Sequence, residues 1–195
     1  LDVDSEEIGK NYPVDVPLVG DARATLEEMV ACCANEGLVR EDAEDDPLAS
    51  LRGAVPAMID MGSLSGAERP LKPQRLVHEM RKVLPEDALL FVDIGNAIIW
   101  AGHYFSCDTP LTYHLGLGFG SMGTAVAGAI GGKLAAPDRP VVALVGDGAF
   151  AMNGFEVHTA VEHDIPVVWV VLNNFGHGMV SHGERMVFGS DLGTS

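Results

Sequence analysis

Two polar strings in the chain each follow an apolar, β-branched run, which is where the ligands of a metal–diphosphate site would stand. Gly146-Asp147-Gly148 closes one run and Asn173-Asn174 closes the next, with 24 residues between the two strings. That interval holds one helix and a turn, so the runs can be neighbouring parallel strands joined by a crossover. Asp147 and Asn174 would then project from adjacent strand ends, where open α/β sheets bind ligands. One carboxylate and one amide oxygen suit Mg²⁺ that keeps phosphate oxygens as its other ligands.

The glycines of the first string support the same interpretation. Gly146 and Gly148 leave the backbone open to close approach by a ligand, and a helix after Gly148 would present free N–H groups to a diphosphate. Either string alone is also common in ordinary turns that bind nothing. Their joint occurrence, one crossover apart, favours a site.

The elements that must position these strings follow from hydrophobic periodicity. From residue 73 onward, strands and helices alternate, and the strands are apolar throughout, which predicts an α/β fold with a parallel sheet covered by helices on both faces. After Asn174 no clear periodicity remains. Four helices are predicted: one that begins at Pro73, one through Ile98 to Tyr104, one that ends near Leu134 and one over Gly154–His163. The predicted strands are Leu89–Val92, Val141–Val145 and Val167–Leu172.

Two domain portions and a linker between them are predicted along the chain. Residues 1–40 look like the closing piece of a domain whose beginning is missing: two short strands, Leu1–Asp4 and Val16–Val19, precede a helix that Asp21 caps and Gly37 ends. Residues 41–72 form an acidic linker, with a helix expected around residues 49–60. Residues 73–195 form the diphosphate- and metal-binding domain. We expect the chain to be incomplete at both ends.

Composition narrows the classes of partner. The formal charge of −16 argues against a nucleic-acid partner. The apolar runs are too short to span a bilayer. Three cysteines form neither a disulfide framework nor a metal-ligand spacing, so a reducing cytoplasm is the default location, and Cys32 and Cys33 are expected to be core or half-buried thiols.

Several further runs accompany the two polar strings. They are Asp93-Ile94-Gly95-Asn96 with Trp100, Gly116 to Gly123, Ala129-Ile130-Gly131, Pro137 to Val142, Met152-Asn153 and Gly178-Met179-Val180, and the opening residues 1–11 agree as well. With these runs the chain resembles the thiamine-diphosphate-dependent enzymes of the acetohydroxyacid synthase (acetolactate synthase) group. The resemblance covers nearly the whole chain and implies the thiamine-diphosphate-binding fold, with residues 1–40 as the C-terminal end of a Rossmann-like central domain.

The resemblance also implies a role for individual residues. Asp147, the Asn174 side chain and the Gly176 carbonyl would ligate Mg²⁺. The carbonyl of Gly120 would accept a hydrogen bond from the aminopyrimidine, and Met122 would lie beneath the bent cofactor. The implied catalytic set is Gly120, Met122, His177 and Met179, and the implied cofactor-binding set is Asn96, Gly120, Met122, Gly146, Asp147, Gly148, Ala149, Asn174 and Gly176.

The implied activity is decarboxylation of a 2-oxo acid followed by carboligation to an aldehyde or a second oxo acid. The alternatives are a simple decarboxylase or oxidase of the same superfamily, or a non-catalytic module that binds cofactor or partner chains. Members of the family activate the cofactor with a glutamate on a pyrimidine-binding domain, which we expect from a missing segment or another subunit of a homodimer or tetramer. FAD binding stays open.

Residues after Val180 depart from the family pattern. The run Ser181-His182-Gly183-Glu184-Arg185 replaces a Gln-Trp-containing segment that is usual in acetohydroxyacid synthases, so contacts to the second substrate are expected to differ. His177 and His182 lie near the implied pocket, where each has either a proton-transfer role or a loop-stabilising one. Arg185 is expected to face solvent rather than to pair with a substrate carboxylate.

Overall fold

Two compact units make up the chain, residues 1–55 and residues 56–195. The computed structural model describes residues 1–38, 51, 54–55 and 58–194. Half of the helix expected around residues 49–60 lies outside them. No described helix is long and apolar enough to cross a membrane. The boundaries predicted at residues 40 and 72 stay predictions.

The first unit is built around one helix, α1 (Ala22–Asn35). The Asp21 carboxylate accepts the Ala24 N–H at 2.9 Å, so the predicted N-cap is confirmed. At the other end Gly37 has a φ of +66°, as expected of a glycine that ends a helix. The two predicted strands are reduced to a single parallel bridge between Asp2 and Val19.

The expectation of buried thiols in α1 is wrong. Cys32 and Cys33 are exposed, and α1 buries none of its residues. Its apolar side chains recur at helical spacing, but no described layer of this unit covers them. Periodicity predicted the helix and could not supply the missing partner surface.

The second unit alternates strands and helices. A short 3₁₀ helix, Met61–Leu64, precedes them. The remaining elements are α2 (Pro73–Val83), β1 (Leu89–Val92), α3 (Asn96–Tyr104), β2 (Tyr113–Leu115), α4 (Thr124–Ala135), β3 (Val141–Gly146), α5 (Asp147–Asn153), α6 (Glu156–Glu162), β4 (Val168–Leu172) and α7 (Gly178–Phe188).

The four strands form one parallel sheet in the order β2-β1-β3-β4. In the register of this sheet Val92 pairs with Leu144, and Gly146 pairs with Leu172. The carboxyl ends of β1, β3 and β4 therefore lie at one edge. The predicted parallel α/β fold and the neighbourhood of the two polar strings are confirmed.

Helices cover both faces of the sheet. Alternate strand residues point to opposite sides, so each strand contributes side chains to both layers. Leu90, Val92 and Leu144 pack with residues of α2 and α3 in one apolar cluster. On the other face, Leu89 and Ala143 pack with Ala125 and Ala129 of α4. β4 is the least covered strand, and Val168 is 59% exposed.

Several elements differ from the prediction. β2 was expected as loop, because three residues after Pro110 carry too little pattern to indicate a strand. The single helix predicted over Gly154–His163 is preceded by a separate one, α5, which begins directly at Asp147. Residues 178–188 form α7, although glycines at 178 and 183 hide its helical pattern.

Close packing of α4 on β1 leads to the first testable prediction. A Cβ added to Gly132 would lie 2.5 Å from two ring carbons of Phe91. That ring cannot easily move, because it stacks on His114 with centroids 4.5 Å apart. We expect Gly132→Ala to lower the free energy of unfolding of the full-length protein by about 1–3 kcal/mol, measured by denaturant titration.

The adjacent glycine provides the matched control. A Cβ on Gly131 would meet nothing within 4 Å. Gly131→Ala in the same helix should therefore be neutral or stabilising by up to about 1 kcal/mol. Equal effects of the two substitutions would contradict the packing described for α4.

Candidate functional site

Three polar groups converge where β3 and β4 end. One terminal atom of the Asn174 amide lies 3.1 Å from Asp147 Oδ1 and 2.9 Å from the Gly176 carbonyl oxygen. If that atom is nitrogen, the amide donates a hydrogen bond to each of these oxygens. If it is oxygen, three oxygens face one another with no proton between them, which requires a cation.

The spacing of these atoms suits a small divalent cation. Ligands of octahedral Mg²⁺ lie 2.0–2.1 Å from the metal, so neighbouring ligand oxygens are about 3 Å apart. The separations around Asn174 match that value, and the donors are a carboxylate, an amide and a backbone carbonyl. Asp147 and Gly176 each lie at ligand spacing from the Asn174 side chain, so these three residues could hold Mg²⁺.

A tight turn brings the Gly176 carbonyl oxygen within 2.9 Å of the Asn174 amide. Phe175 has a φ of +62°, which is uncommon for a residue with a large side chain. Its N–H donates to the Asn173 side-chain oxygen at 2.9 Å, which stabilises the turn. Two residues further on, the His177 N–H donates to the Thr194 carbonyl at 2.8 Å, so residues after α7 also support this loop.

Gly148 lies directly beneath two side chains of the predicted site. A Cβ on Gly148 would stand 2.6 Å from His177 Nδ1 and 3.6 Å from Met122 Cε. The imidazole of His177 and the end of Met122 therefore both approach the first turn of α5. Only glycine leaves that space.

Gly178 separates two amides in a similar way. A Cβ there would lie 2.6 Å from Asn174 Nδ2 and 3.0 Å from Asn96 Nδ2. Asn96 begins α3 directly beyond the end of β1. The structure thus brings the ends of β1, β3 and β4 together around α7, as the sequence predicts for Asn96, Asp147 and Asn174.

The remaining predicted site residues are Gly120, Gly146, Ala149 and Met179. Gly120 takes a φ of +73° in the turn before α4, and its N–H donates to the Gly116 carbonyl at 3.2 Å. Gly146 is the N-cap residue of α5, and Ala149 is 1% exposed in the cluster with Val126 and Val145. Met179, 41% exposed, follows Gly178.

The sequence also drew attention to two side chains after Val180, those of His182 and Arg185. His182 is exposed on α7. Arg185 is also exposed, and its guanidinium pairs with Asp191 at 3.2 Å. The preference for a non-catalytic Arg185 therefore agrees with the structure.

Asp93 is a residue to which the sequence gave no role. It is completely buried and accepts three backbone N–H groups, those of Ile94, Gly123 and Ala125. The sequence could have indicated this role through one feature, a carboxylate placed directly after the apolar strand β1. A buried carboxylate needs hydrogen-bond donors, and here three backbone N–H groups supply them.

Two cavities of the second unit lie away from the candidate site. One, of about 400 Å³, lies beside residues 67–79, and the other, of about 270 Å³, lies between the end of α2 and residues 106–109. Among the described residues no three His, Cys, Asp or Glu side chains form a metal cluster. The site differs from such clusters because it combines one carboxylate with an amide and a carbonyl.

Comparison with known proteins agrees with this geometry. Residues 93–195 match the family model described as "Thiamine pyrophosphate enzyme, C-terminal TPP binding domain". The chain belongs to the thiamine pyrophosphate enzymes. The matched region begins at Asp93 and includes every predicted site residue.

Relatives among these thiamine pyrophosphate enzymes differ in activity. A probable acetolactate synthase large subunit of Methanococcus aeolicus is 32% identical over 97% of this chain and 33% of its own length. A sulfoacetaldehyde acetyltransferase of Castellaniella defragrans is 34% identical over 89% of this chain and 32% of its own. The chain therefore spans about a third of the length of the curated relatives it matches.

A solved structure supports the fold assignment. The thiamine diphosphate-dependent 4-hydroxybenzoylformate decarboxylase of Rhodococcus jostii RHA1 superposes with a TM-score of 0.60 at 26% identity. The match covers 64% of this chain and 24% of that one. The α/β fold of the thiamine pyrophosphate enzymes, predicted from the sequence, is confirmed.

Gly178 offers a direct test of the site geometry. Gly178→Ala would push the Asn174 amide away from Asp147, so we expect Mg²⁺ to bind the full-length protein about tenfold more weakly or worse. Calorimetric titration with Mg²⁺ in the presence of thiamine diphosphate measures the change. Gly183→Ala in the same helix meets nothing within 4 Å and is the control. Unchanged affinity in the Gly178 variant would contradict the placement of the amide.

Proposed function

We propose that this chain is the diphosphate- and Mg²⁺-binding part of an acetolactate-synthase-like enzyme. The enzyme would remove carbon dioxide from a 2-oxo acid and join the remaining fragment to a second carbonyl compound. The observation that carries this proposal is the position of the Asn174 amide, one atom of which lies 3.1 Å from Asp147 Oδ1 and 2.9 Å from the Gly176 carbonyl oxygen. The chain belongs to the thiamine pyrophosphate enzymes, and this membership supports thiamine diphosphate as the cofactor.

Magnesium is the ion that the proposed ligands favour. Hard oxygen donors in octahedral spacing select Mg²⁺, which keeps its remaining positions for water or phosphate oxygens. A diphosphate placed beside the Asp147 carboxylate would otherwise be repelled, so the ion compensates both negative charges. Gly148 and Ala149 would hold the diphosphate through backbone N–H groups, with Asn96 nearby.

When bound, thiamine diphosphate would supply the electron sink that lets a 2-oxo acid lose carbon dioxide. The residues of this chain would bind and orient it. Met122, half-buried opposite Gly148, would support the cofactor between its two rings, since an unbranched thioether fills irregular gaps. The Gly120 carbonyl would accept a hydrogen bond from its amine.

Residues at the mouth of the site would meet the substrate. Met179, partly exposed at the start of α7, would line the pocket. His177, whose ring approaches Gly148, is placed to donate or accept a proton there. These roles follow from position and are proposals.

The proposed enzyme needs parts that this chain does not hold. A pyrimidine-binding domain with an activating glutamate would come from the rest of the protein or from another subunit of a dimer or tetramer. The acetolactate synthase relatives favour carboligation over a simple decarboxylase or oxidase. A cytoplasmic location stays a prediction from the sequence.

Ligand-dependent stability tests the cofactor proposal. Mg²⁺ and thiamine diphosphate together should raise the unfolding temperature of the full-length protein, because a ligand that binds only the folded state stabilises it by about 2.7 kcal/mol at a hundredfold excess over Kd. Asp147→Ala should abolish the shift. Asp138→Asn, at an exposed position away from the site, should retain it. No shift in the wild-type protein would contradict the proposal.

Product analysis tests the reaction class. The full-length protein, supplied with a 2-oxo acid, Mg²⁺ and thiamine diphosphate, should release carbon dioxide and give a carboligated product when a second oxo acid or an aldehyde is added. Mass spectrometry identifies the product. An aldehyde alone would indicate a decarboxylase, and an acid formed with consumption of oxygen would indicate an oxidase.

A further inference from the structure

Side chains form hydrogen bonds with both backbone polar groups of Gly123, its N–H and its carbonyl. Its N–H donates to Asp93 Oδ1 at 2.7 Å, and its carbonyl accepts a hydrogen bond from Asn153 Nδ2 at 3.1 Å. Asp93 follows β1, and Asn153 is the last residue of α5. Two elements of the candidate site therefore meet on the residue that precedes α4.

The Asp93 carboxylate is well satisfied in its buried position. Besides Gly123 it accepts the Ala125 N–H at 2.8 Å and the Ile94 N–H at 2.9 Å, and it is completely inaccessible to solvent. Hydrogen bonds to a charged acceptor are the stronger kind. The carboxylate also lies at the amino end of α4, where the helix dipole favours an anion.

Asn153 packs directly on Gly123 as well as bonding to it. A Cβ on Gly123 would lie 3.0–3.2 Å from three atoms of the Asn153 side chain, and the φ of Gly123 is +86°. Both observations require glycine at this position. The residue just before it, Met122, is placed by the same backbone.

Met122 connects this arrangement to the site. Its Cε lies 3.6 Å from the position that a Cβ on Gly148 would occupy, over the first turn of α5. α5 begins at Asp147 and ends at Asn153. The helix that carries the proposed metal ligand therefore also holds the backbone next to Met122.

We propose that Asp93 and Asn153 are positioning residues that fix Met122 in its place against the cofactor. The proposal rests on the function proposed above and goes further, because it assigns a role to two side chains that touch neither metal nor diphosphate. Releasing Gly123 lets Met122 shift while Asp147, Asn174 and Gly148 keep their places. Loss of either side chain would therefore weaken the support of the reactive end of the cofactor, while the affinity for its diphosphate end would stay nearly unchanged.

The test uses the full-length protein with Mg²⁺ and thiamine diphosphate and without substrate. Two quantities are measured: the Kd of thiamine diphosphate by calorimetry, and the rate at which the C2 proton of the bound cofactor exchanges with deuterium, by acid quench and proton NMR. The variants are Asn153→Ala, Asn153→Asp and Asp93→Asn. Asp138→Asn, at an exposed position outside the site, is the control.

Asn153→Ala removes one hydrogen bond and should slow exchange about fivefold. Asn153→Asp keeps the shape but turns an acceptor towards the Gly123 carbonyl, so exchange should be slower than in the alanine variant. Asp93→Asn keeps one side-chain oxygen, so its amide group faces the Ala125 N–H or the Gly123 N–H, and exchange should also be slower than in the control. Kd should stay within about threefold of the control in all three.

Two results would overturn the proposal. One is exchange at the control rate in both Asn153 variants, and the other is a Kd that weakens in parallel with exchange. Asn153 is exposed at the end of a helix, so its variants decide the matter even where Asp93→Asn does not fold. Failure of the wild-type protein to bind the cofactor would instead overturn the proposed function, and this inference with it.

Discussion

Three polar groups drawn together at the ends of β3 and β4 are the constraint on which the site depends. The parallel register pairs Gly146 with Leu172, and the turn at Phe175 places the Asn174 amide between the Asp147 carboxylate and the Gly176 carbonyl. The amide can meet these two oxygens in two ways. Its nitrogen can donate a hydrogen bond to each, or its oxygen can join them where a cation compensates the repulsion among the three.

Tight backbone packing supports this arrangement at several points. Gly132 admits the Phe91 ring, Gly148 admits His177 and Met122, and Gly178 admits two asparagine amides. A methyl group at any of them would displace a side chain that belongs to the core or the site. The glycine content of the second half of the chain therefore reflects close approach of side chains as well as turns.

Much of the fold was predictable because its strands are apolar and its helices periodic. Asp147 and Asn174 were predicted as neighbours from one crossover length, and the structure places them 3.1 Å apart. β2 and α7 were not predicted, since a three-residue strand and a glycine-interrupted helix carry too little pattern. The bonds of Asp93 to Gly123 and Ala125 span about thirty residues, a separation that local patterns do not encode.

The choice of asparagine rather than aspartate at position 174 has a consequence for the proposed Mg²⁺ site. An amide has a donor and an acceptor at its two ends, so a half-turn about one bond would convert a hydrogen-bonding partner into a metal ligand. The proposed site would then bind an ion with the backbone it already has. An aspartate at this position would offer no donor to Asp147 and would repel its carboxylate.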